Sequence, residues 1–142
     1  MNAIVVGTDG SPGAEAAVQK VIELAGGDDA PTVHVVCAYP GKTALERLGM
    51  TAKQDPVDMR GVAADLLARA ERRLTEAGFS VEKYAREGDP AHTIIEVAEE
   101  TGADLIAVGA HGNAGDRRFH IGSIATKLSH HSPASLLIVR EG

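Results

Sequence analysis

Short apolar runs alternate along this chain with longer stretches whose apolar residues recur at helical spacing, and that alternation restricts the fold more than any other feature. Ala3 to Gly7, Thr32 to Tyr39, Ala103 to Val108 and Leu136 to Arg140 read as buried strands, and Phe79 to Arg86 as a charged one. Between them, Ala14, Ala17, Val18, Val21, Ile22 and Ala25 keep a helical period. So do Ala63, Leu67, Ala70, Leu74 and Ala77 over Asp58 to Ala77, then Ala91, Ile94, Ile95 and Ala98. Ser11-Pro12 supplies an N-cap and a first helical residue, Gly88-Asp89-Pro90 starts a later helix, and Gly26-Gly27, Gly78 and Gly102 are placed to stop helices. Residues 40–57 are the least regular, with a short helix expected around Leu45. Strands joined by helices imply right-handed crossovers and a parallel sheet. The expected fold is therefore α/β, one doubly wound domain over residues 1–142 with helices on both faces.

Composition narrows the function. A chain of 142 residues can bury a real core, and with no Trp, two Phe and two Tyr that core must be aliphatic. Cys37, the single cysteine, cannot form an internal disulfide and sits in a strand pattern, so a buried, inert thiol is expected. The net charge of −6 argues against nonspecific nucleic-acid binding. No run approaches the roughly 20 apolar residues of a membrane span, and the first residues enter a strand without a leader-like segment. A cytoplasmic protein without membrane or nucleic-acid partners is expected.

One stretch carries chemistry, Val108 to Ser123. It leaves the fourth strand, passes Gly109, His111 and Gly112, and reaches Gly122-Ser123 where Ile121, Ile124, Ala125 and Leu128 mark one face of the last helix. A strand delivering a glycine-rich loop to a helix N-terminus brings backbone N–H groups and the positive end of the helix dipole to one spot, which suits a phosphate. Glycines let phosphate oxygens approach the backbone. The turn after the first strand, Thr8-Asp9-Gly10-Ser11, is the second unusual loop. In parallel sheets, ligands sit beyond the strand C-termini where the strand order reverses, so both loops are expected to line one crevice.

The spacing Gly109-x-x-Gly112, nine residues, then Gly122-Ser123 resembles the nucleotide-binding signature of the universal stress protein family. Val6 to Ser11, Gly88-Asp89-Pro90 and Leu137-Ile138-Val139 are similar to that family too, so the resemblance covers essentially the whole chain. It implies a five-stranded parallel sheet in the order 3-2-1-4-5, ATP or AMP in the crevice, and homodimers through the last strand, Leu136 to Arg140. Carried over by position, it puts Asp9 near ribose and adenine, Ala38 against adenine through its backbone, and Gly109, Gly112, Gly122 and Ser123 around ribose and phosphates. Thr8, His111 and Ile124, beside these residues, complete the implied binding set. A carboxylate suits ribose hydroxyls and would be repelled by phosphates, which agrees with Asp9 at the sugar end, although a plain turn-forming aspartate before a helix fits the residues as well. The chain departs from the family at Asn113 and at Asp116-Arg117-Arg118-Phe119-His120, which leaves the choice among ATP, AMP and cyclic AMP open.

Other signals are weaker. Gly41-Lys42-Thr43 resembles the tail of a P-loop but lacks its first glycine. No histidine pair has the i, i+4 spacing of a zinc site on one helix, and magnesium is expected only through bound phosphates. His111 is the one candidate proton carrier beside the loop. With no nucleophile–base arrangement in view, binding is favoured over catalysis: a nucleotide-binding stress-response regulator acting through conformation or a downstream protein partner. A slow ATP hydrolase or self-modifying enzyme of the same fold is the alternative. The exposed edges differ in charge, since Val81 to Arg86 carries guarding charges and Leu136 to Val139 none, which favours pairing through the latter.

Overall fold

A computed structural model of the chain describes residues 1–47, 49, 56–112 and 121–141. Five strands, β1 (Ala3–Gly7), β2 (Thr32–Tyr39), β3 (Val81–Glu87), β4 (Leu105–Gly109) and β5 (Ser135–Val139), form one sheet in the order β3-β2-β1-β4-β5. Every pairing is parallel. The chain winds outward from β1 to β3, crosses back to β4 beside β1, and winds outward again to β5. The order therefore reverses between β1 and β4, as the resemblance implied, and β3 and β5 are the edges.

The helices are α1 (Pro12–Ala25), α2 (Lys42–Arg47), α3 (Pro56–Glu76), α4 (Pro90–Thr101) and α5 (Ser123–His131). Successive strand residues point to opposite faces, and the core divides accordingly. Ile4, Val6, Val33, Val35, Cys37 and Ala107 pack under α1 and α3 against Ala17, Val21, Leu67 and Leu74. Val5, Val36, Ile106 and Val108 pack on the other face against Ile94, Val97, Ala125 and Leu128 of α4 and α5. With both faces covered, the central strands read as continuous apolar runs rather than alternating ones.

Local chemistry sets most helix ends. Ser11 caps α1 by accepting the Ala14 N–H at 3.2 Å, with Pro12 at the first helical position. Asp89 caps α4 by accepting the His92 N–H at 3.0 Å. Gly102 closes α4 in the left-handed region (φ 64°), with its N–H and that of Ala103 turned back to the Ala98 carbonyl. The bounds differ from expectation in a few places. Strand β3 begins at Val81, because Phe79 leaves the α3 turn to bury itself in the α1/α3 core. Strand β4 runs from Leu105, and β5 from Ser135 to Val139. Helix α5 starts at Ser123, so Ile121 precedes it and is 42% exposed rather than part of its apolar face. No described helix is long and apolar enough to cross a membrane.

Candidate functional site

A cavity of about 260 Å³ opens at the C-terminal ends of β1 and β4, where the strand order reverses. All nine residues singled out from the sequence line it: Thr8 and Asp9 after β1, Ala38 late in β2, Gly109 at the end of β4, His111 and Gly112 after it, and Gly122, Ser123 and Ile124 at the start of α5. Asn113, Asp116, Arg117, Arg118, Phe119 and His120 lie outside the described residues.

The cavity has a polar rim and an apolar interior. Val36, Val108, Ile94 and Ala125 form a slot between the sheet and the α4/α5 layer, with Pro90 at the mouth. Sequence reasoning missed Val36, Ile94 and Pro90 because each obeys its element's apolar or capping pattern. The clue available was position: Pro90 and Ile94 in the first turns of α4, and Val36 in the second half of β2.

The rim is built from backbone. Thr8 extends the β1–β2 ladder through its N–H to the Val36 carbonyl at 2.9 Å, and its Oγ1 accepts the Gly10 N–H at 3.2 Å. Asp9 turns the chain into α1, its Oδ1 accepting the Ser11 N–H at 2.9 Å. Its Oδ2 lies so close to Gly112 that a Cβ there would come within 2.8 Å of it. The two loops therefore meet across Asp9 and Gly112. The burial of Cys37, with the Asp9 carboxylate adding to it, raises the Cys37 thiol to about 11, so it stays protonated and carries no nucleophile toward the cavity.

Helix α5 differs from α1 and α4 in having no side-chain cap. By helix geometry the N–H groups of Ser123, Ile124 and Ala125 have no acceptor within the helix, and all three residues line the cavity. The N-cap itself is otherwise occupied: the Gly122 N–H donates to the Ala110 carbonyl at 2.7 Å, while the Gly122 carbonyl accepts from Thr126 at 3.0 Å. Gly122 therefore contributes space and a fixed helix entry, and the donors are the next three residues. A Cβ on Gly122 would lie 3.2 Å from the Ala110 carbonyl oxygen. Such an end, with three converging amides, the Ser123 hydroxyl and the positive dipole, is suited to one anionic group. Among the described residues, no group of three His, Cys, Asp or Glu side chains is placed to hold a metal ion.

A doubly wound parallel sheet with a glycine-bounded cavity at its reversal point is the arrangement in which α/β proteins place small ligands. The model of the universal stress protein family matches residues 1–140, and the chain belongs to that family. Universal stress protein YxiE of Bacillus subtilis is 37% identical over 75 residues, a match spanning 53% of this chain and about half (51%) of that protein. Universal stress protein Rv1636 of Mycobacterium tuberculosis is 30% identical over 139 residues, covering 96% of this chain and 94% of that one. A solved universal stress protein in complex with cAMP superposes with a TM-score of 0.72 at 26% identity, covering 99% and 98% of the two chains.

Proposed function

We propose that the cavity binds an adenine nucleotide and that the protein acts as a nucleotide-dependent regulatory module in a stress response. The single observation that carries this reading is the uncapped N-terminus of α5, which presents three backbone donors to a cavity with an otherwise apolar interior. The phosphate sits on Ser123, Ile124 and Ala125, the ribose faces Asp9, and the base enters the slot beside Ala38, Val36 and Ile94. The cAMP complex of the 26% identical relative supports an adenine nucleotide as ligand. ATP, AMP and cyclic AMP all carry the group that the cradle recognises, and any magnesium is held through phosphates. Binding rather than turnover is the reading, and release of ADP or AMP from ATP by the pure protein would overturn it in favour of a slow hydrolase of the same fold.

Mass spectrometry of whatever co-purifies, followed by calorimetric titration with ATP, AMP and cyclic AMP, tests the assignment. Gly122→Val abolishes binding, since its Cβ already lies 3.2 Å from the Ala110 carbonyl oxygen and its branches press on the loop backbone, displacing that loop from the start of α5. Ser123→Ala, which removes one donor and leaves the fold intact, weakens it by about three- to tenfold. Full affinity in both variants would show that the loop is only a connector.

The open edge of β5 favours a second element of the reading. Leu136, Leu137 and Ile138 are only partly buried, and no charge guards that edge before Arg140. Two copies pair there about a two-fold axis. A monomer in sedimentation at micromolar concentration would refute the pairing and leave the nucleotide reading untouched.

A further inference from the structure

A groove of about 540 Å³ lies between α1 and α3, beside the nucleotide cavity but with only Thr8 lining both. Val18, Leu66 and Ala70 form its apolar floor. Its rim is basic: Arg69, Arg72 and Arg73 project from one face of α3. The carboxylates facing them are Glu15 of α1 and Glu76 at the end of α3. Three guanidinium groups thus meet two carboxylates, on a chain whose net charge is −6.

The partners of these arginines show where charge is left over. Arg69 is paired with Glu15 at 2.7 Å. Arg73, half-buried, donates to two neutral acceptors, the Gln19 side-chain oxygen at 2.6 Å and the Glu15 backbone carbonyl at 3.3 Å. Arg72 makes no ion pair or hydrogen bond among the described residues. Two of the three positive charges therefore face the groove without a carboxylate in contact. Their fixed forks match phosphate oxygens better than a flexible ammonium does, and Arg73 is already oriented by α1, which lowers the entropy lost on binding.

We propose that this groove is a second binding site, for a small organic phosphate whose phosphate sits on Arg72 and Arg73 and whose apolar body rests on Val18, Leu66 and Ala70. The site is separate from the nucleotide cavity and stands or falls independently of it.

Phenyl phosphate, which has a phosphate and an apolar ring but no ribose or adenine, is the probe. Titrated into the isotopically labelled full chain at constant ionic strength, it shifts the amide resonances of Leu66, Ala70 and Arg72 saturably. Arg72→Gln, an exposed change that leaves the α1 contacts intact, weakens that response by about tenfold or more, and Arg72→Lys restores part of it. Shifts confined to Gly112, Ser123 and Ile124 would overturn the proposal, since the phosphate would then enter only the nucleotide cavity. Equal affinity in Arg72→Gln, or shifts reproduced by sodium chloride alone, would overturn it as well.

Discussion

Gly109, the first glycine of the loop signature, lies against the backbone of Gly13 in the first turn of α1. A Cβ on Gly109 would come within 2.6 Å of the Gly13 carbonyl carbon and 2.7 Å of its oxygen. Neither atom can rotate away, as the end of a side chain could. The reverse contact is just as tight, because a Cβ on Gly13 would collide with the His111 carbonyl oxygen. This glycine pair lets the loop after β4 seat directly on α1, and it fixes the distance between Asp9 and Gly112. Gly109→Ala is expected to cost about 1–3 kcal/mol of stability as an overpacked contact, and to weaken the proposed nucleotide binding by displacing the loop rather than by touching ligand. Urea denaturation alongside calorimetry checks this. Wild-type stability in the variant would mean that the two backbones part without cost.

The contrast between Gly13 and Ser123 shows how far the residues announce the candidate site. Ser123, Gly112 and Asp9 are readable because loop glycines, a hydroxyl at a helix start and an acid after a strand stand out against apolar periodicity. Strand β2, both ends of α1 and the C-terminal end of α4 are readable for the same reason, since Ser11, Pro12, Gly26 and Gly102 act locally. Gly13 looks like an ordinary helix residue, because its partner lies far along the chain. Val36 and Ile94 look like core, because period alone cannot separate a residue that fills the interior from one that walls a cavity. Ile121 keeps a helical period yet stands outside α5, whose start is fixed by the bond from Gly122 to the Ala110 carbonyl. The strand order itself depends on pairings between distant segments, and only the family resemblance supplied it in advance.

Asp89 links two helices that wall the cavity. Its carboxylate accepts the His92 N–H and lies 3.2 Å from Lys127 Nζ on α5. The backbone bond from His92 first, and Lys127 after it, hold the carboxyl below its ordinary value. A depressed carboxyl contributes stability above the unfolded value near pH 4, and that contribution disappears as pH falls through the folded value. Asp89→Ala is expected to lose about 1 kcal/mol at pH 7 through the missing cap. Asp89→Asn keeps the cap and loses only the exposed pair with Lys127, worth less than about 1 kcal/mol. Denaturation of both variants at pH 7 and pH 3 should show their differences from wild type shrinking in acid; constant differences would remove Asp89 from the acid response.

Cys37 offers a test of burial that needs no ligand. With its thiol raised to about 11, chiefly by desolvation, the reactive thiolate is scarce at pH 8. Ionisation alone then slows its reaction with an aromatic disulfide reagent by about two-hundredfold relative to an unperturbed thiol. The raised value also has a stability sign. Above the unfolded value near 8.5 the unfolded chain releases a proton that the folded chain retains, so stability falls from there toward pH 11. Rapid labelling of the folded protein at pH 8, matching that in denaturant, would show that the thiol is open to solvent.

His34 makes the opposite prediction at the acid side of neutrality. It is 8% exposed on β2, with Nδ1 2.8 Å from Tyr84 Oη, while the Tyr84 hydroxyl donates to Glu82 Oε2 at 3.0 Å. A phenol has one proton, and Glu82 takes it, so His34 must donate through Nδ1 and the neutral ring is the Nδ1–H tautomer. Desolvation lowers the His34 value, with the nearby Glu82 charge opposing it only in part. A histidine depressed in the fold contributes stability above its unfolded value of about 6.5, and loses it as pH falls through the lower folded value. The melting temperature is therefore expected to decline as pH drops below about 6.5. In His34→Gln, which can still donate to Tyr84 but does not titrate, that slope flattens. Proton NMR of the ring checks the assignment directly, because titration at or above the free-histidine value would place the charged ring in a solvated setting and remove it as the origin of the slope.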